Sequence, residues 1–209
     1  MRADPPPLLI KRLGMVEYAP TLQAMRALTE SRVAGTADEL WVLEHPPVYT
    51  LGVRSDPRHL PKVANEIAIV RCNRGGEITY HGPGQAIVYT LVDLARRGLK
   101  VGDFVRMLEQ SVIDLLSSSG VRAGRKAGAP GVYVSDAKVA ALGLRVSRGR
   151  AYHGVALNVD MDLSPFVSID PCGYPGLAVT QARDLGVTGS ALEVGERLSG
   201  ILARKLGDA

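Results

Sequence analysis

A cysteine sits between a proline and a glycine in Asp170-Pro171-Cys172-Gly173-Tyr174. Those neighbours put Cys172 on a turn, where solvent and a substrate can reach the thiol. Cys72 closes the apolar stretch Ile67 to Cys72, the usual place for a structural cysteine, and is expected to be inert. A reachable thiol attacks as its thiolate, and a free cysteine of pKa about 8.5 is only a few per cent ionised at pH 7. Nucleophilic chemistry at Cys172 would therefore need a cation or a base beside it. On its own, a lone turn cysteine is more often incidental.

Three further groups could supply the rest of a site. Lys138 opens the apolar run Lys138-Val139-Ala140-Ala141-Leu142-Gly143-Leu144. A lysine there is ordinarily an exposed edge charge. The segment from Arg74 to Gln85, RGGEITYHGPGQ, carries four glycines and a proline among hydrogen-bonding side chains. Glycine lets backbone approach a ligand closely, and a decorated turn is the plainer alternative. The segment lacks both Gly-Lys-Ser/Thr and Gly-x-Gly-x-x-Gly, so it is neither a P-loop nor a dinucleotide fingerprint. His81 lies inside it and reads as a binding or orienting group. His153 alternates with Val155, Leu157 and Val159, which suggests a hydrogen-bonded core histidine.

The elements that must position these groups follow from hydrophobic period. Strands are expected at 8–13, 39–44, 48–52, 67–72, 86–94, 131–134, 138–146 and 151–161. Helices are expected from Pro20 to Val33, from Val101 to Ser119 and from Ser190 to Leu206. The 74–85 segment holds too much glycine for a regular element. Ser147-Arg148-Gly149-Arg150 makes a hairpin turn; if Val146 pairs with Ala151, then Gly143 faces Gly154 and Ala141 faces Ala156. Alternation puts these four small residues on one face, either a groove for an unbranched chain or a seat for a helix. The same register puts Lys138 on the opposite face, with Leu142 and Leu144, unless the strand bulges or bends near Ala140.

Composition narrows the class. The chain has 209 residues, 46% of them apolar and 22% charged, the profile of a globular protein. One domain spanning 1–209 is expected, of the α+β (mixed α/β) class. No apolar run reaches the roughly 20 residues of a spanning helix, and the N-terminus lacks a signal-peptide core, so the expected compartment is the cytoplasm and no membrane is involved. Two cysteines and four scattered histidines give no metal-ligand spacing, so no metal is expected. The formal charge of +4 suits an acidic partner, but no basic tract interleaved with aromatics points to nucleic acid.

Taken together, RGGEITYHGPGQ (74–85), PGVYV with KVAALGLRVSRG (130–149), and YHGVALNVDMDLSPF with PCGYPG (152–176) resemble the lipoyl(octanoyl) transferase family. The likeness covers roughly Leu40 to Arg183, and the combination is far more specific than any one piece. It implies a biotin/lipoate protein ligase-like catalytic domain, a mixed β-sheet flanked by helices. It implies that Cys172 carries an acyl thioester and that Lys138 activates it. Arg74, Gly75, Gly76, Glu77, Ile78, Thr79, Tyr80, His81, Ala141, Leu142, Gly143, Gly154, Val155 and Ala156 would bind the acyl substrate, Glu77 being the weakest candidate. The implied donor is octanoyl-acyl carrier protein. The implied acceptor is a lysine of the lipoyl domains of 2-oxoacid dehydrogenases and of the glycine cleavage H protein. A monomer without cofactors is expected.

The chemistry suits those groups. Thioester exchange is nearly isoenergetic and thioester to amide runs downhill, so no ATP is needed. A lysine ammonium about 4 Å from the thiolate, at an effective dielectric of ~20, contributes roughly 4 kcal/mol, an upper bound of about three pKa units. Two other readings stand beside this one. An ATP-dependent lipoate or biotin ligase needs no nucleophilic cysteine. A non-catalytic carrier-protein binding module would use Arg145, Arg148 and Arg150 near the hairpin turn.

Overall fold

A computed structural model describes residues 8–61, 66–170 and 176–207. Its centre is β6 (Gln85–Asp93), a strand buried on both faces. Ala86, Val88 and Val92 pack to one side, and Ile87, Tyr89 and Leu91 to the other, the period of two of a pleated strand. A strand apolar on both faces belongs in mid-sheet. On one side of β6 lie β2 (Asp38–Glu44) and then β1 (Leu8–Met15). On the other lie β10 (Arg150–Asn158), β9 (Ala137–Ser147), β8 (Ala129–Val134) and β7 (Gly124–Lys126). Only β1 and β2 run parallel; the other neighbours are antiparallel.

Helices cover this sheet because each presents one apolar stripe. In α3 (Val101–Ser117) the predicted face of Phe104, Leu108, Val112, Leu115 and Leu116 is wholly buried, each side chain stabilising by roughly 1.5–3 kcal/mol. It packs with α4 (Ala191–Gly207) over one face of the sheet. The opposite face receives α1 (Tyr18–Ser31) through Tyr18, Leu22 and Met25. A second sheet of three strands, β4 (Ala68–Arg71), β3 (Val48–Leu51) and β5 (Ile78–His81), also contributes Val48 to that side. The class is α+β, a mixed sheet flanked by helices. The glycine-rich segment does hold a regular element, β5, because its glycines stand outside Ile78–His81. Gly84, at φ +84°, turns the chain into β6 where a Cβ would overlap the Asp160 carbonyl.

At one end of the sheet Asp38 is fully buried among three arginines. Its carboxylate accepts from Arg32 Nη1 at 2.8 Å, Arg96 Nη2 at 2.8 Å and Arg97 Nε at 2.7 Å. It also accepts from the Asp93 N–H at 2.9 Å, which ties β2 to the end of β6. Arg97 belongs to a short helix, α2 (Leu94–Arg97), which sequence period did not reveal.

The hairpin of β9 and β10 has the expected register: Val146 pairs with Ala151, Gly143 with Gly154 and Ala141 with Ala156. A bulge then changes the face on which Lys138 emerges. On β8, Val132 pairs with Ala140 but the next residue, Tyr133, pairs with Lys138, leaving Val139 as the extra residue. Val139 and Ala140 both pack into the helix-side core with Leu142 and Leu144. Two consecutive residues on one side move Lys138 to the other, with Ala141 and Gly143.

Candidate active site

A cleft lies on the face of the large sheet away from α3 and α4. Its floor is Ala141, Gly143, Gly154 and Ala156 with Ile87 and Tyr89 of β6. Its walls are Tyr18 of α1, the 74–77 turn, and Ile78, Thr79 and His81 of β5. It encloses about 520 Å³, part of it open to solvent. The small residues are small for different reasons. A Cβ on Gly143 would lie 3.1 Å from Arg74 Cδ and 3.1 Å from the Gly75 oxygen, so the space above it is already occupied. A Cβ on Gly154 would overlap the Val88 backbone oxygen, so that glycine lets β6 and β10 approach. Ala141 and Ala156 line the same cleft with side chains of one carbon each.

Among the residues the sequence points to, Arg74, Gly76, Glu77, Ile78, Thr79, His81, Ala141, Leu142, Gly143, Gly154, Val155 and Ala156 all line this cleft. The side chains of Leu142 and Val155 pack in the helix-side core, so they meet the cleft through their backbone. Gly75 stands outside it, donating its N–H to the Leu144 oxygen at 2.8 Å. Tyr80 turns away into a third cluster with Tyr49 and Phe166. The Glu77 carboxylate accepts from the Asp56 N–H at 3.2 Å and lies 3.4 Å from His59 Nδ1. Cys72 is half-buried and donates its thiol to the Leu51 oxygen at 3.2 Å, packed against the α1 side of the core.

Tyr18 and Tyr89 had no signal in the sequence as site residues, since each reads as one apolar position of a helix or strand. Alternation predicts a hydrogen-bonded core histidine at 153, and His153 is indeed buried and bonded to Asn73. The face differs: its φ of +64° breaks the alternation and turns the ring onto the cleft side, stacked 5.0 Å from Tyr152. Nothing in its neighbours, Tyr152 and Gly154, marks that conformation, although histidine is among the side chains enriched in it.

Hydrogen bonds fix the polar lining. Arg74 Nη2 donates to the Thr50 carbonyl at 2.7 Å and to Thr50 Oγ1 at 2.9 Å, which staples the turn to β3. Gln85 Nε2 donates to Asn158 Oδ1 at 3.0 Å, so Gln85 Oε1 must accept the proton of His81 Nδ1 at 2.7 Å. His81 Nε2 then faces Thr50 Oγ1 as an acceptor. His45 Nδ1 donates to the Val16 oxygen and its Nε2 accepts from the Tyr89 hydroxyl. His153 Nε2 donates to Asn73 Oδ1 at 3.2 Å. Burial, with His45 and Arg74 nearby, pushes His81 down to about 3. Burial and the Arg74 guanidinium push His153 to about 3, and burial pushes His45 to about 4. All three imidazoles are neutral at pH 7, and both ring nitrogens of His45 and His81 have partners.

Lys138 stands at the end of this cleft. It is buried, and it shares a smaller cavity with Thr79 and Ala141, residues that also line the main cleft. Its Nζ donates to the Pro130 carbonyl at 3.2 Å and lies 5.2 Å from the centre of the Tyr133 ring, within cation–π range. Its main chain is paired to residues 178–180, which follow Pro171-Cys172-Gly173 in the sequence. Lys138 N donates to the Ala178 oxygen at 2.8 Å, and Thr180 N donates to the Lys138 oxygen at 3.0 Å. Asn158 Nδ2 also donates to the Thr180 oxygen at 3.0 Å. Cys172 itself, with Gly173, lies outside the described residues.

Residues 17–200 match the model of the lipoyl protein ligase A/B catalytic domain. The octanoyltransferase of Aromatoleum aromaticum is 57% identical over 98% of this chain and 88% of its own length. That of Thiobacillus denitrificans is 57% identical over 99% of this chain and 94% of its own. The chain belongs to the octanoyltransferase family. Solved structures extend the likeness of this octanoyltransferase-family fold to ligases. A bipartite lipoate protein ligase from Thermoplasma acidophilum superposes with a TM-score of 0.72 at 17% identity, over 99% of this chain and 93% of that one. A biotin protein ligase from Aquifex aeolicus gives 0.55 at 14% identity, over 96% and 69%. Among the described residues no helix is long and apolar enough to cross a membrane.

Proposed function

We propose that this chain transfers an octanoyl group from octanoyl-acyl carrier protein to a lysine of lipoyl domains, through a thioester on Cys172, with Lys138 as the acid and base. The proposed acceptors are the lipoyl domains of 2-oxoacid dehydrogenases and the glycine cleavage H protein, in the cytoplasm. The observation that carries this reading is the β9 bulge. It brings a buried lysine onto the cleft face, and the backbone of that lysine pairs with Ala178 and Thr180, a few residues after Cys172 in the sequence.

The steps balance around one proton. The Cys172 thiolate attacks the donor's thioester carbonyl, the carrier thiolate leaves, and the Lys138 ammonium protonates it. Neutral Lys138 then takes a proton from the acceptor amine as that amine attacks the Cys172 thioester. Cys172 leaves as the thiolate and Lys138 is again an ammonium. His81 and His153 suit the role less, because at about 3 each imidazole is a weak base for taking a proton from an attacking amine. The apolar floor of Ile87, Ala141 and Ala156 suits an unbranched chain. Transfer to a lipoyl domain in a reaction without ATP is the expected result. Turnover only with free octanoate and ATP would assign the chain to the ligase chemistry instead.

A further inference from the structure

The Pro130–Gly131 peptide lies between a buried carboxylate and the Lys138 side chain. Its oxygen, on Pro130, accepts from Lys138 Nζ at 3.2 Å. Its N–H, on Gly131, donates to Glu109 Oε1 at 3.1 Å. Glu109 projects from α3 and is only 6% exposed. Its second oxygen accepts from Arg125 Nε at 2.8 Å, and Arg125 is itself tied to Gln110 Oε1 and the Arg106 carbonyl. Gly131 has a φ of +140°, and a Cβ there would stand 3.0 Å from Lys138 Cε and 2.9 Å from the Ala140 oxygen. The lysine stem thus runs directly over this peptide.

A glutamate on a helix is ordinarily solvated, and burying its charge costs free energy unless it is paired and hydrogen-bonded. Here both conditions are met, and one of the hydrogen bonds goes to the peptide that receives the lysine. A carboxylate at the N–H end also polarises the amide and strengthens its carbonyl as an acceptor. We propose that Glu109 is a positioning residue for Lys138, holding the Pro130–Gly131 peptide so that its carbonyl fixes the ammonium where acyl transfer needs it. This rests on the reading of Lys138 as the acid and base.

Glu109→Ala and Glu109→Gln should be compared with Lys138→Ala in octanoyl transfer from the carrier protein to a lipoyl domain. The burst of acyl-enzyme counts competent molecules, so kcat is expressed per competent molecule and loss of folded protein does not enter. Glu109→Ala is expected to lower that kcat by about tenfold with KM within twofold, since a small misplacement of a reacting group acts on the transition state. Glu109→Gln keeps an acceptor for the Gly131 N–H and is expected to recover to within about threefold of the parent. An unchanged kcat in Glu109→Ala, or a Gln variant as slow as the Ala variant, overturns the proposal. If Glu109→Ala yields no folded protein, Arg125→Gln carries the test: this half-exposed outer anchor should lower kcat by about threefold at constant KM, and an unchanged kcat overturns the proposal. An inactive Lys138→Ala beside a fully active Glu109→Ala rejects positioning alone. An active Lys138→Ala rejects the acid-base reading and the positioning with it.

Discussion

Lys138→Ala is expected to lower kcat for octanoyl transfer by about 10³-fold while KM for either protein substrate stays within about threefold. The size follows from the two duties of one side chain. In the proposed mechanism Lys138 as an ammonium stabilises the Cys172 thiolate, and alkylation of that thiol at pH 7 should slow by about tenfold in its absence. In the same proposal the amine takes the acceptor's proton, a duty for which His81 and His153, both pushed down to about 3, are too weakly basic. KM should hold because the proposed acyl site at Ala141, Ala156 and the cleft walls is left in place by the substitution. The fold should survive, since the Lys138 main chain, not its side chain, pairs with Ala178 and Thr180. A variant with kcat within fivefold of the parent and unaltered alkylation would remove Lys138 from the mechanism.

Acidification from pH 7 to pH 5 is expected to cost about 6 kcal/mol of folding stability from three buried histidines alone. His45, His81 and His153 titrate at about 4, 3 and 3 in the folded chain, against about 6.5 when unfolded. A folded-state value below the unfolded one means that the unfolded chain binds more protons, so stability falls as pH drops below 6.5 and goes on falling toward the folded values. At pH 5 each imidazole contributes about 2 kcal/mol less than at pH 7. The depressed carboxylates Asp114 and Glu193 act in the same direction but only at lower pH. Urea unfolding at the two pH values measures the effect. His153→Gln should remove about a third of it; an equal pH dependence in that variant would mean that His153 is not held neutral by burial.

The cleft floor was legible in the sequence because it depends on local rules. A four-residue turn fixes the register of one hairpin, and alternation then puts Ala141 and Ala156 on one face. The helices were legible for the same reason, and so was the stripe of α3. Three features were not, or not fully. The bulge at Val139 was legible only as a condition, a bulge or bend near Ala140 if Lys138 was to reach the groove, and the pairing of β8 with β9 locates it. His153 adopts a left-handed φ without the glycine or asparagine that usually announces one. Tyr18 enters the cleft from a helix more than 50 residues away in sequence from the turn it faces, and no local pattern encodes that meeting. Glu109 shows the same limit: on α3 it reads as a solvated residue, and only the approach of the 130–131 peptide gives it a buried partner.

The central claim concerns one sulfur atom. Incubation with octanoyl-acyl carrier protein, without acceptor, followed by intact-mass and peptide mass spectrometry, tests it most directly. The account predicts a gain of about 126 Da, the mass of C8H14O, on Cys172, lost again when a lipoyl domain is added. A chain that transfers octanoate without ever carrying the adduct, or that carries it on Cys72, would contradict the account.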